Sequence, residues 1–200
     1  MSKKHNIRAG IQLQKTSVNN FSRVGAYLID WYIASMFAGI PITLIATSIN
    51  HNTTITQDLS TLPLGWAVIA GILAIVFYLG YYFVVELKVY KGQSFGKRIF
   101  KLKVVKDDGS DVDFKTILLR EGLGIMIVEG YLANSSSYLR QILQLFTDFN
   151  IMDLAVYLFG IISAVSILIG LASPSRKMIH DFIAHTHIIS TKDENWSCNE

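Results

Sequence analysis

Residues 24–49 form an apolar run that is long enough to cross a lipid bilayer, yet it contains one carboxylate, Asp30. About 20 apolar residues span the hydrocarbon core, so the run predicts a transmembrane helix. An aspartate in hydrocarbon costs about 2.5–3.5 kcal/mol on insertion scales. Arg23 and Tyr27 precede Asp30 at helical spacing, which places all three along one stripe. We expect that stripe to contact protein or water rather than lipid.

The composition is that of a membrane protein. Hydrophobic residues make up 51% of the 200-residue chain and charged residues 16%, whereas soluble domains carry about 25% charged residues. The mean hydropathy is +0.38. The single cysteine, Cys198, cannot form a disulfide within the chain, so we expect a free thiol in a reducing compartment.

Four apolar segments predict an all-α membrane protein with four transmembrane helices. The predicted spans cover about 24–49, 64–87, 116–133 and 151–172. The third span is the weakest by hydropathy, because it holds Arg120, Glu121 and Glu129. It is retained because a three-span chain would place the basic tail on the wrong side of the membrane.

The distribution of Lys and Arg predicts the orientation of these helices. Basic residues concentrate in the N-terminal arm, in the connection 88–115 and in the tail 173–200. The connection 50–63 has none, and 134–150 has only Arg140. Since basic loops stay on the inner side, we expect both termini and the connection 88–115 to be cytoplasmic.

The cytoplasmic parts carry their own structural signals. Residues 94–100, SFGKRIF, and the tail segment 174–185 are typical of interfacial amphipathic helices. Alternating residues at 101–106, followed by Asp108-Gly109, predict a strand and a tight turn. The segment THIIS at 186–190 predicts a second strand, and the two strands suggest a small cytoplasmic hairpin or sheet.

Three blocks of the chain resemble the RDD family of bacterial membrane proteins. The blocks are FSRVGAYLIDWYI at 21–33, KGQSFGKRIFKLKVVKDDGSDVDFKTILLRE at 91–121 and SPSRKMIHDFIAHT at 173–186. The resemblance assigns the arginine and the two aspartates of the family name to Arg23, Asp30 and Asp181. It implies one domain over residues 1–200, a multi-pass protein of the bacterial inner (cytoplasmic) membrane.

The family's function is poorly defined, although ion or small-solute transport has been proposed for it. The function therefore has to be inferred from the residues of this chain. The chain departs from the family pattern at His185, where glycine is expected, and at His187, where an apolar residue is expected.

Arg23, Asp30 and Asp181 support two hypotheses. In the first, the protein is a transport component that exchanges cations for protons, and Asp30 is the titrating group, because a partly buried carboxylate can exchange a proton for an ion. In the second, the three residues form a structural charge network in a non-catalytic scaffold or subunit, which docks a partner protein or lipids through its cytoplasmic layer.

Secondary candidates extend both hypotheses. Tyr27 could bridge Arg23 and Asp30, and Arg120 and Glu129 are further charges on the third span. If an ion path exists, Asp30 and Glu129 are its natural stations on opposite halves of the membrane.

Lys97, Arg98 and Lys101 are predicted to attract anionic lipid headgroups. The surrounding glycines do not form a phosphate loop, since the spacing is one residue short and Arg98 replaces the Ser or Thr that such a loop needs.

Other chemistry has little support in the sequence. His180, His185 and His187 lack the ligand spacing of a metal site, and we expect neither a metal nor a cofactor. No nucleophile with a positioned base can be identified, so an enzyme is not expected. The basic connection lacks the interleaved aromatics of a nucleic-acid face. Because four helices form a thin bundle, we expect a homo-oligomer or a subunit of a larger membrane complex.

Overall fold

Helices dominate the computed structural model, which describes residues 18–50, 57–128, 134–147, 151–173 and 176–191. Two helical stretches, Asn20–Ile49 and Leu64–Val89, are long and apolar enough to cross a membrane. A shorter apolar helix covers Val156–Ala172. The first two predicted spans therefore correspond to suitable helices, whereas the full four-span arrangement stays a prediction.

Twelve elements follow one another along the described chain. They are α1 (Asn20–Asn50), a 3₁₀ turn (Leu59–Thr61), α2 (Leu64–Phe83), a first π-helical segment (Val84–Val89), α3 (Phe95–Ile99), β1 (Leu102–Lys106), α4 (Phe114–Ile117), a second π-helical segment (Leu118–Val128), α5 (Asn134–Gln144), α6 (Ile151–Ala172), α7 (Ile179–Ile183) and β2 (Thr186–Ser190).

The two strands confirm the small sheet that the alternating residues predict. β1 and β2 pair antiparallel, with Leu102 opposite Ser190 and Lys106 opposite Thr186. The tight turn after β1 also forms, and Gly109 occupies it with a φ of +82°. An L side chain rarely adopts that conformation, which explains the glycine. The predicted helix at 94–100 corresponds to α3, and the tail helix to α7.

α1 and α2 pack closely because both present small residues to each other. The buried small residues are Ala34, Ala38 and Ala46 on α1, and Ala67, Ala70 and Ala74 on α2. Gly71 of α2 lies under the 3₁₀ turn and α5, where an added Cβ would lie 2.7 Å from Leu59 Cδ1 and 2.8 Å from Ile142 Cδ1. Small residues at such contacts allow helix backbones to approach each other.

The opposite faces of the long helices expose large apolar side chains. On α1 they include Leu28, Tyr32 and Met36, which are 55%, 62% and 59% exposed. On α6, Ile161 and Leu168 are each 64% exposed. Soluble monomers rarely expose such contiguous apolar surface, whereas it suits contact with lipid tails.

No helix is predicted in the connection 134–150, where the structure has α5. α5 packs on α2 and on the 3₁₀ turn. The Leu59 N–H donates to Gln141 Oε1 at 2.9 Å, and the Tyr138 hydroxyl donates to Gln57 Oε1 at 3.2 Å. Tyr138, Ile142 and Leu145 recur at helical spacing and pack on the core, so the segment carries an amphipathic signal. Its polar start, NSSS, makes that signal short.

The third predicted span, 116–133, departs from a regular helix in the described part. It begins within α4 and continues as the second π-helical segment to Val128. Residues 129–133 lie outside the described residues. π-helical turns are rare overall, and those that occur often lie at functional sites. Both π-helical segments carry charged residues, namely Glu86 and Lys88 on the first and Arg120 and Glu121 on the second.

Candidate functional site

Asp30 joins three elements of the fold. It lies on α1 and is 2% exposed. The Tyr81 hydroxyl donates to its Oδ1 at 2.7 Å, and the Gly96 N–H donates to the same oxygen at 2.8 Å. The Ser94 hydroxyl donates to Oδ2. The Asp30 carboxylate therefore links α1 to α2 and to the start of α3.

The glycine at position 96 allows α3 to approach α1. An added Cβ at Gly96 would lie 2.2 Å from the carbonyl oxygen of Ala26 and 2.9 Å from Asp30 Oδ2. Ser94 caps α3, since its Oγ accepts the Lys97 N–H at 3.4 Å. The short sequence SFGK thus combines a cap, a close approach and a donor for Asp30.

Asp181 accepts hydrogen bonds from two arginines that are distant in sequence. Its Oδ1 lies 2.5 Å from Arg120 Nη1, and its Oδ2 lies 3.2 Å from Arg23 Nη2. The Met178 N–H donates to Oδ2 at 3.1 Å, and the Thr186 hydroxyl donates to Oδ1 at 3.4 Å. Asp181 is 0% exposed, so it is a fully buried junction of α7, α1 and the second π-helical segment.

The electrostatic surroundings of Asp181 favour its ionised form. Burial acts to raise the pKa of Asp181, but the neighbouring charges, Arg120 foremost, outweigh it and hold the pKa well below its usual value. His180 lies beside the pair, with its Nε2 3.2 Å from Arg120 Nη2. Asp181 is therefore an anion that holds arginines together.

The ion pairs continue from Arg120 along a single series. Arg120 Nε lies 3.4 Å from Glu121 Oε1, and Lys97 Nζ lies 3.9 Å from that same oxygen. Lys97 also pairs with Glu86 Oε1. We call the whole series the charge network; its members in order are Arg23, Asp181, Arg120, Glu121, Lys97 and Glu86. The signs alternate, and three cations balance three carboxylates.

The centre of the charge network is buried. Glu86 is 0% exposed, Glu121 1%, Arg120 3% and Lys97 9%. An unpaired charge at such burial costs on the order of several kcal/mol. The pairing of opposite charges offsets this cost. Among the described residues, Oε2 of Glu86 and Oε2 of Glu121 have no hydrogen-bond partner. The two carboxylates are thus each in an ion pair through one oxygen, Oε1.

Of the three basic residues predicted to contact headgroups, Lys97 is placed differently. Its ammonium is directed into the protein, toward Glu86 and Glu121, where it compensates carboxylates that would otherwise be buried without a cation. Arg98 and Lys101 are exposed, as a role at headgroups requires. The Arg98 guanidinium lies over the Tyr90 ring, 3.9 Å from its centroid.

The remaining candidates have separate positions. Tyr27 is half-buried on α1, and Glu129 lies outside the described residues. His185 is exposed and adopts a φ of +51°, which explains why glycine is expected there. His187 lies 3.4 Å from Asp107 through its Nδ1. Within the described ranges, no group of three His, Cys, Asp or Glu side chains is arranged to hold a metal ion.

Sequence reasoning missed several residues that complete the site. Tyr81 and Ser94 hold Asp30, and Glu86 ends the series of ion pairs. One signal was available, because Glu86 is a carboxylate in the otherwise apolar run at 64–87. Glu121 was visible as a charge on the third span, but its pairing with Lys97 depends on the tertiary structure.

Comparison with known proteins identifies the family of the chain. The sequence pattern of the RDD family matches residues 18–185, which contain all six members of the charge network and Asp30. No curated protein and no solved structure matches the chain. The match covers most of the chain, and the long helices expose apolar side chains, so this protein belongs to the RDD family and is a membrane protein.

Proposed function

We propose that the protein is a transport component of the bacterial cytoplasmic membrane, which exchanges protons for cations. The observation that carries the proposal is the burial of the charge network in a protein whose long helices are apolar outside. Charged side chains are expensive in a membrane protein, and those that occur often mark ion pathways or proton relays.

The proposed arrangement has four spans with both termini in the cytoplasm. α3 and β1 lie in the connection 88–115, which is rich in Lys and Arg, so the charge network would face the cytoplasmic side. Four helices leave little space for a sealed path. We therefore propose that the protein acts as a homo-oligomer or as a subunit of a larger membrane complex.

A second candidate function is a non-catalytic scaffold. It is favoured by Asp30, whose carboxylate accepts from three donors and so serves as an anchor between helices. In this candidate, the sheet of β1 and β2, with the exposed Arg98 and Lys101, would dock a partner protein or lipids. Neither candidate is an enzyme.

Ion flux in a purified system separates the two candidates. The protein would be reconstituted into liposomes with an imposed pH gradient and an internal pH dye, and Na⁺, K⁺ or Li⁺ would be added outside. A transport component should collapse the gradient only when a cation is present. Empty liposomes from the same lipids provide the control. A correctly folded protein that produces no flux with any of the three ions would favour the scaffold.

A further inference from the structure

We propose that Glu86 and Glu121 form a proton-binding carboxylate pair on either side of Lys97. The proposal rests on the proposed function, since the pair would carry the proton in the exchange. It assigns this role to residues other than the arginine and two aspartates of the family name, and it follows from the atoms around Lys97.

The first observation is that Lys97 lies between two buried carboxylates, of which Glu121 also faces Arg120. Lys97 Nζ pairs with Glu86 Oε1 and lies 3.9 Å from Glu121 Oε1. The two carboxylates are close enough for the Glu86 charge to act on Glu121. Like charges that share a buried site disfavour simultaneous ionisation, so one proton shared by the pair relieves the repulsion.

The second observation is that donors are lacking. Among the described residues, neither Glu86 Oε2 nor Glu121 Oε2 receives a hydrogen bond. Asp30 and Asp181, in contrast, accept hydrogen bonds on both of their oxygens. A buried acceptor without a donor carries a desolvation cost that a bound proton reduces, because the protonated oxygen becomes neutral.

A third observation adds an independent polar group beside the pair. The Tyr78 side chain is 1% exposed, and its hydroxyl lies beside the hydroxyl of Tyr82. It lies close enough to Glu121 for that charge to act on it. A hydroxyl can both donate and accept, so Tyr78 is suited to pass a proton to the pair.

Several groups determine the charge balance of the pair. The titratable and charged groups that face it are Lys97 from α3, Arg120 from the second π-helical segment, His180 from α7, Asp30 from α1, and Tyr78 and Tyr82 from α2. A proton from water forms one O–H bond on a carboxylate oxygen, and the same bond breaks on release. Lys97 remains an ammonium throughout. The three cations and three carboxylates of the charge network sum to zero, so one bound proton changes the total charge to +1.

Infrared spectroscopy tests proton binding in the unmodified protein. As the pH of the reconstituted protein is lowered, a carboxylic acid C=O band should appear before the exposed carboxylates titrate. The band should be lost in Glu121→Gln and in the double variant Glu86→Gln/Lys97→Met. The double variant removes a cation and an anion together, so it leaves no unpaired buried charge from this pair. Asp111→Asn, at a carboxylate that is exposed and paired with Lys103, is the matched control and should keep the band.

Proton flux in liposomes tests the carrier role. Glu86→Gln and Glu121→Gln should reduce flux to that of empty liposomes, and Asp111→Asn should keep the flux of the parent. Parental flux in both glutamine variants would overturn the carrier role and leave the proposed function intact. A folded parent without flux would overturn the proposed function and the carrier role together. Absence of the early band from the parent, or its persistence in the variants, would overturn proton binding itself.

Discussion

At the scale of single residues, the two aspartates of the family name have different surroundings. Asp30 accepts from two hydroxyls and a backbone N–H, all of them neutral donors. Asp181 lies between two guanidinium groups. Neutral donors can be satisfied by an uncharged acceptor, whereas two buried guanidinium groups require an anion. The two positions should therefore respond differently to the same substitution.

Asp181→Asn should destabilise the protein strongly. The substitution leaves Arg23 and Arg120 buried without their shared anion, and breaking a buried pair in this way costs about 3–5 kcal/mol. The thermal midpoint of the parent and variant in detergent would measure the effect. Asp108→Asn, at an exposed position in the turn after β1, is the control and should change stability by less than about 0.5 kcal/mol.

The contribution of Asp181 also has a defined pH dependence. Its folded pKa lies below its usual value, so its stabilisation is complete above the unfolded pKa of about 3.9 and is lost as the pH falls through the folded pKa. The difference between parent and Asp181→Asn should stay constant from neutral pH to about pH 5 and narrow only below about pH 4. A difference that vanishes near neutral pH would contradict this assignment.

Asp30→Asn should be much milder than Asp30→Ala. Asparagine keeps one carbonyl oxygen, which can still accept from Tyr81 and Gly96, and the Ser94 hydroxyl can turn to accept from the new amide. Alanine leaves all three donors without an acceptor, at about 1–3 kcal/mol for each buried group. Thermal midpoints in detergent would compare the two. Equal losses would show that Asp30 does not act as this anchor.

At the scale of elements, short irregular segments position the site. Glu86 lies on the first π-helical segment, Arg120 and Glu121 lie on the second, and Lys97 lies on the short helix α3. The site is therefore built where the regular helices end. α3 reaches it only because its backbone lies against α1 at Gly96.

Gly96→Ala should disrupt this contact. The added Cβ would lie 2.2 Å from a backbone carbonyl oxygen, which cannot move without shifting α1. Overpacking of this kind costs about 1–3 kcal/mol or more. Gly80→Ala on α2 is the matched control, because an added Cβ there meets nothing within 4 Å. It should stabilise the helix by about 0.5–1 kcal/mol. Thermal unfolding in detergent would compare the two variants, and equal midpoints would contradict the close approach.

At the scale of the whole molecule, the long helices expose apolar side chains while the charge network is buried. Orientation in the membrane decides which compartment the charge network faces. The Lys and Arg distribution predicts the cytoplasm, and the chain carries a convenient probe, because Cys198 is its single cysteine.

Thiol labelling should establish the orientation. In intact cells, Cys198 should resist a membrane-impermeant maleimide and react after permeabilisation. In a Cys198→Ser background, Asp108→Cys should behave in the same way, while Asn52→Cys should react from outside. The reason is the excess of basic residues in 88–115 and 173–200 over 50–63. Labelling of Cys198 in intact cells would contradict the four-span arrangement.

The sequence by itself determined the membrane class, the first two long helices, the two strands and the family, and it suggested that the strands pair. Each follows from local patterns: apolar runs of sufficient length, alternation of period two, and short blocks of specific residues. The same reasoning brought Arg23, Asp30 and Asp181 forward as one group. The hypothesis of a structural charge network agrees with the ion pair between Arg23 and Asp181. Sequence reasoning had no means to show that Asp30 contacts Tyr81 and Ser94.

Only the tertiary structure decided which charges meet. Arg23 and Asp181 are 158 positions apart, and Asp30 and Gly96 are 66 apart, so no local period relates them. The π-helical segments add a further reason. Their backbone hydrogen bonds join residues i and i+5, which changes the side chains that face inward. A hydrophobic pattern that assumes 3.6 residues per turn therefore assigns these side chains to the wrong face. Lys97 illustrates the result, because its position among basic residues predicts a surface, and two buried carboxylates place it inside.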